Sequence, residues 1–61
     1  MTIIRQEKWS AAVDHVQELL EEYGKLGTIG MFGAMILTTY LNRYKAGERS
    51  EDLYESMTTA E

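Results

Sequence analysis

The chain has no cysteine, no proline and a single histidine, His15. Without cysteine there are no disulfides and no thiolate metal sites. One histidine leaves too few nitrogen ligands for an ordinary zinc centre. The missing proline permits long helices and argues against a loop-rich fold. Positive charge is scarce as well: six Lys and Arg stand against ten Asp and Glu, for a net charge of −4. Proteins that grip phosphate backbones concentrate cations on one face. Here the cations are spread along the whole length, so no direct nucleic-acid binding is expected. After its one basic residue, Met1 to Arg5 has no apolar run of signal-peptide length. A cytoplasmic location is therefore expected.

What remains is globular in composition, with 44 % hydrophobic, 10 % aromatic and 26 % charged residues over 61 positions. A chain this short buries only about 60 % of the surface its unfolded form exposes, so a core built by one copy is marginal. Disulfides, a metal or a partner chain are the usual supports. With the first two removed, self-association or docking on another protein is the expected support.

Residues 9 to 23 carry the clearest helical pattern. Trp9, Ala12, Val13, Val16, Leu19, Leu20 and Tyr23 recur at spacings of three and four, while Asp14, Gln17, Glu18 and Glu21 point the other way. The spacing predicts a helix over about 7–23, starting at Gln6 or Glu7, with Ser10 as an alternative cap. A break follows at 24–28, where Gly24 or Gly27 can adopt the left-handed conformation that ends a helix. Thr28 can cap the next one. So short a connection implies antiparallel neighbours.

The second predicted helix, about 29–46, differs in kind. No charge occurs among the 17 residues from Leu26 to Asn42. A helix apolar nearly all round is covered on most sides, and the first helix can cover only one stripe. Arg43 and Lys45 suit its negative end, and Gly47 closes it. Beyond it, Ser50 can cap a short helix over about 51–57, with Glu51 and Asp52 in its first turn and Leu53 and Met57 on one face. A frayed tail is expected over 58–61. Residues 1–61 thus read as one all-α domain: an antiparallel helical hairpin with a short C-terminal helix. It is expected to pair with a second copy into a homodimeric four-helix-type bundle, a two-fold dimer being the commonest closed symmetry.

The residues expected at that interface are Ile29, Phe32, Gly33, Met35, Ile36, Leu37, Tyr40 and Leu41. Gly27, Gly30 and Gly33 recur every third residue, which fits either a close helix–helix contact or a glycine-rich loop ending near Gly30. Gly33 within an apolar helix marks a tight crossing, since an interior glycine costs about 1 kcal/mol against alanine. Met31 and Met35 read as core filler or as an adaptable contact surface.

Catalytic patterns are missing. There is no Ser-His-Asp or Cys-His set and no phosphate-binding glycine loop after a strand. Asp14, Glu18, Glu21 and Glu22 lack the Glu-x-x-His pairing of di-metal bundles and fall on a solvated face. His15 also falls on the polar side. No enzyme activity, cofactor or metal is expected. The expected function is instead binding: a small acidic helical adaptor, inhibitor or regulator, of the kind found among phage and mobile-element accessory proteins. Its expected partner carries a basic surface, steered by Asp14, Glu18, Glu21 and Glu22 on the first helix and by Glu51, Asp52 and Glu55 near the C-terminus. Tyr40 and Tyr44, one turn apart with Arg43 between them, read either as a recognition patch with Tyr44 as its hot spot or as caps of the bundle with their hydroxyls in water. The alternative is a membrane-active protein with residues 26–42 inserted in a bilayer, although a span needs about 20 residues. Further alternatives are a subunit of a larger particle and an acidic mimic of DNA.

Overall fold

In the computed structural model, which describes residues 3–60, the chain is all-α. Helix α1 spans Gln6–Lys25, α2 spans Met31–Lys45 and α3 spans Glu51–Thr59. A 3-10 turn over Gly27–Gly30 joins the first two. Met1, Thr2 and Glu61 lie outside the described residues, and with Glu61 the end of the expected tail.

α1 starts at Gln6 because the Arg5 carbonyl accepts the first bonds, from the Lys8 (3.0 Å) and Trp9 (3.2 Å) N–H groups. No side chain caps it, and Ser10 lies within the helix. At the far end Gly24 stays helical, and α1 ends at Lys25, two residues beyond the expected stop. The left-handed residue that ends the run is Gly27, at φ 67°. Thr28 does not cap α2. It sits in the 3-10 turn, Gly30 holds the cap position, and no side chain bonds there.

The three spaced glycines have separate roles in this tight hairpin. Gly27 supplies the left-handed turn. A Cβ on Gly30 would lie 2.2 Å from the Tyr23 carbonyl oxygen, so the backbones meet there. A Cβ on Gly33 would come within 3.2 Å of the Tyr23 ring. Loop and close contact are thus both present, in sequence order.

α2 ends in a Schellman motif: the Glu48 N–H donates to the Arg43 carbonyl and the Gly47 N–H to that of Tyr44, both at 3.0 Å, with Gly47 at φ 103°. Ser50 then caps α3, its hydroxyl accepting from the Leu53 N–H at 3.2 Å. Tyr54 meets Trp9 near the start of α3, and the Ala60 carbonyl meets His15 just past its end. α3 therefore runs in the same direction as α1, in the groove beside α1 and α2. It continues through Thr59 rather than fraying from Thr58. His15 Nε2 lies 2.9 Å from the Ala60 oxygen, which places His15 against α3 and not on the open polar face.

The core follows from this arrangement. Trp9, Ala12 and Val16 of α1, Leu37 and Leu41 of α2, and Leu53 and Met57 of α3 are all buried. A nine-residue helix is only about 14 Å long against about 30 Å for α1. α3 thus covers the half of the hairpin away from the 3-10 turn. The other half consists of two helices alone.

Candidate functional site

The α2–α3 corner is closed by its own side chains. Trp9 packs edge-on to Tyr54 (centroids 5.3 Å apart) and tilted against Tyr44 (5.7 Å). Arg49 lies 3.8 Å over the Tyr44 ring and donates from Nη1 to the Tyr44 carbonyl at 2.8 Å. The Tyr44 hydroxyl accepts from Gln6 Nε2, also at 2.8 Å. Tyr44, the expected hot spot, is thus half-buried and engaged on its ring, its carbonyl and its hydroxyl. Arg43, its expected companion, grips the Glu48 carboxylate through both Nε (3.0 Å) and Nη2. That hydrogen bond raises the Arg43 pKa. The same bond, helped by the Ser50 hydroxyl, lowers the Glu48 pKa.

The expected acidic residues do not converge. Asp14, Glu18, Glu21 and Glu22 are exposed along α1, with Glu21 and Glu22 near the 3-10 turn and Glu22 lying 3.5 Å from Lys25. Glu51, Asp52 and Glu55 are exposed on α3, at the opposite end of a molecule 39 Å long. Glu51 and Glu55 share a cleft of about 610 Å³ with Ile3, Ile4, Arg5, Glu7, Lys8 and Tyr54. Three carboxylates, Glu7, Glu51 and Glu55, face two cations, Arg5 and Lys8, and the cleft contains neither histidine nor serine. Among the described residues no group of three His, Cys, Asp or Glu is placed to hold a metal ion.

The expected interface residues divide into two sets. Leu37 and Leu41 are 3 % and 6 % exposed within the chain's own core, so a single copy does not present them to a neighbour. Tyr40 packs half-buried against that core, and Gly33 lies under the Tyr23 ring. Their side of α2 is the one α1 and α3 require. Phe32, Met35 and Ile36 are on the other side, exposed by 76, 59 and 54 %, and Ile29, in the 3-10 turn before α2, is exposed by 87 %. Leu26, part of the neutral run, and Met31, read as core filler or adaptable surface, join them, each more than half exposed. The signal for these two was available: both fall in the uncharged run, at the end that α3 is too short to reach.

The result is one neutral, apolar face around the loop end of the hairpin. It is continuous with a cleft of about 340 Å³ at the end of α3, lined by Tyr23, Gly33, Ile36, Tyr40, Thr59 and Ala60. Contiguous apolar surface of this extent is uncommon on monomeric soluble proteins. Among the described residues no helix is long and apolar enough to cross a membrane. The stretch expected to insert under the membrane alternative, 26–42, is divided between the 3-10 turn and the 15-residue α2.

No protein-family model, curated protein or solved structure matches this chain.

Proposed function

We propose that this protein works by binding protein rather than by chemistry, and that the outer face of α2 is its contact surface. One observation carries this reading: Ile29, Phe32, Met35 and Ile36 are each more than half exposed on a stretch without a single charge. Covering a large apolar side chain fully contributes about 1.5–3 kcal/mol. Leaving four in water on a chain of 61 residues forgoes a sum comparable to the stability of a whole small domain. The acidic exterior has a second role, drawing a basic partner toward the molecule and discouraging contact elsewhere. In the cytoplasm such a module would act as an adaptor, inhibitor or regulator.

Replacing Phe32 and Met35 together by glutamate tests the reading. In an extract of the cell that makes it, the wild-type chain should run in a complex well above its own 7.0 kDa. The double variant should run as a single chain with unchanged helical circular dichroism, because both side chains already lie in solvent. A wild-type chain that runs alone, or a variant that keeps the complex, defeats the reading.

A further inference from the structure

Resting on that reading of the α2 face, we infer that its occupant is a second copy of this chain, with the two α2 helices packed antiparallel about a two-fold axis between Met35 and Ile36.

The size of the face is the first support. Its six large apolar side chains, Leu26, Ile29, Met31, Phe32, Met35 and Ile36, are each more than half exposed; together they offer an area on the order of a few hundred Å², approaching the ~800 Å² per partner of a standard complex. A lone docked loop would leave much of it wet, whereas a helix of equal length covers it.

Its pattern is the second support. Phe32, Met35, Ile36 and Thr39 follow the i, i+3, i+4, i+7 rule along the outer side of α2, and all four are exposed. This is a seam of coiled-coil type, which fits a copy of itself. An isologous interface requires the same patch on both partners, and a stripe repeated over two turns supplies it.

Charge gives the partner and the direction. The chain carries −4 overall, yet nothing on this face from Leu26 to Asn42 is charged. A partner chosen by charge would find no charge here to meet, while a second neutral stripe finds its like. Parallel helices would align their dipoles and set Arg43 and Lys45 beside their own copies. The antiparallel arrangement opposes the dipoles. It also brings the basic end of α2 to the partner's loop end, where Glu21 and Glu22 sit. Among the described residues Lys45 and Glu21 have no ion pair within the chain.

The resulting dimer is not a four-helix bundle around one core. Leu37 and Leu41 remain inside their own chain, so two separate three-helix cores are joined by a thin α2–α2 seam.

The purified full chain, which contains no cysteine of its own, permits a clean test. Sedimentation equilibrium should give twice the 7.0 kDa chain mass at micromolar concentration. Phe32→Glu should weaken the dimer on the order of 100-fold, as expected for an interface hot spot, with helicity retained. Met35→Cys should oxidise to a disulfide-linked dimer. Phe32→Cys mixed with Thr39→Cys should cross-link to each other and not to themselves. Self-linking of both single variants with no mixed product would mean a parallel pair, overturning the stated arrangement. A wild-type chain that stays single at high micromolar concentration overturns the second-copy assignment. The extract experiment above then decides independently whether the face binds another protein. A single chain that co-floats with phosphatidylcholine vesicles overturns it too, in favour of a lipid surface.

Discussion

The two halves of the hairpin are built from the same two helices and finished differently. In the half away from the loop, α3 fills the groove, and Trp9, Val16, Leu53 and Met57 are essentially sealed from solvent. Stacked rings, the Schellman turn, the Ser50 cap and the Arg43–Glu48 pair close the corner. In the loop half only α1 and α2 meet. They are held close by Gly30 and Gly33 against Tyr23, and the remaining apolar side chains lie in water. Similar hydrophobicity thus serves two purposes. Where a third element covers it, it is core. Where none does, it is exposed surface.

The contrast is easiest to break at Trp9. Trp9→Ala removes the largest buried side chain and should cost about 3–5 kcal/mol, enough to abolish cooperative thermal unfolding in a domain this small. A variant that still melts cooperatively near the wild-type temperature would show that the covered half is not the stabilising one. In the loop half, Gly30→Ala should cost about 1–3 kcal/mol, because its new methyl carbon meets the Tyr23 backbone at 2.2 Å. Denaturant unfolding should show a lower midpoint with an unchanged slope. Ser50→Ala should cost about 1 kcal/mol through the lost cap, read by the same measurement.

The corner also has a pH signature. The Glu48 carboxylate has a lowered pKa in the fold, so its contribution is complete above the ordinary value of 4.5, shrinks as pH falls below that, and is gone below the folded value. Melting temperature should therefore fall less steeply between neutral and acidic pH in Glu48→Gln than in the wild type. Equal slopes would remove Glu48 from the acid response. The smallest effect is expected at Phe32. In the isolated chain at high dilution, Phe32→Ser should change stability by no more than about 0.5 kcal/mol, since the side chain is already mostly exposed. Its consequences should appear only where a partner is present.

Much of this could be read from the residues. The seven-position spacing from Trp9 to Tyr23 specified α1 and its buried stripe. Ser50 followed by Glu51 and Asp52 marked the start of α3, and Gly47 the end of α2. Helix boundaries were less legible. Gly24 is helical because nothing forces it out, while Gly27 bears the turn; both are glycine, and only the chain path distinguishes them. The division of α2 was illegible for a related reason. Leu37 and Ile36 are adjacent and equally greasy, yet one is core and the other exposed. His15 was misplaced because its surroundings depend on where the end of α3 lands, 45 residues later in the chain.

Local chemistry, acting over a turn or two, was enough to decide that this chain is helical, where its glycines interrupt it, and that one neutral helix carries more apolar surface than its hairpin neighbour can hide. Tertiary structure alone decided which of those side chains are hidden. That choice depends on the length and seating of α3, a contact between residues far apart in sequence, and α3 stops short of the loop. The bare face is the geometric remainder of that packing.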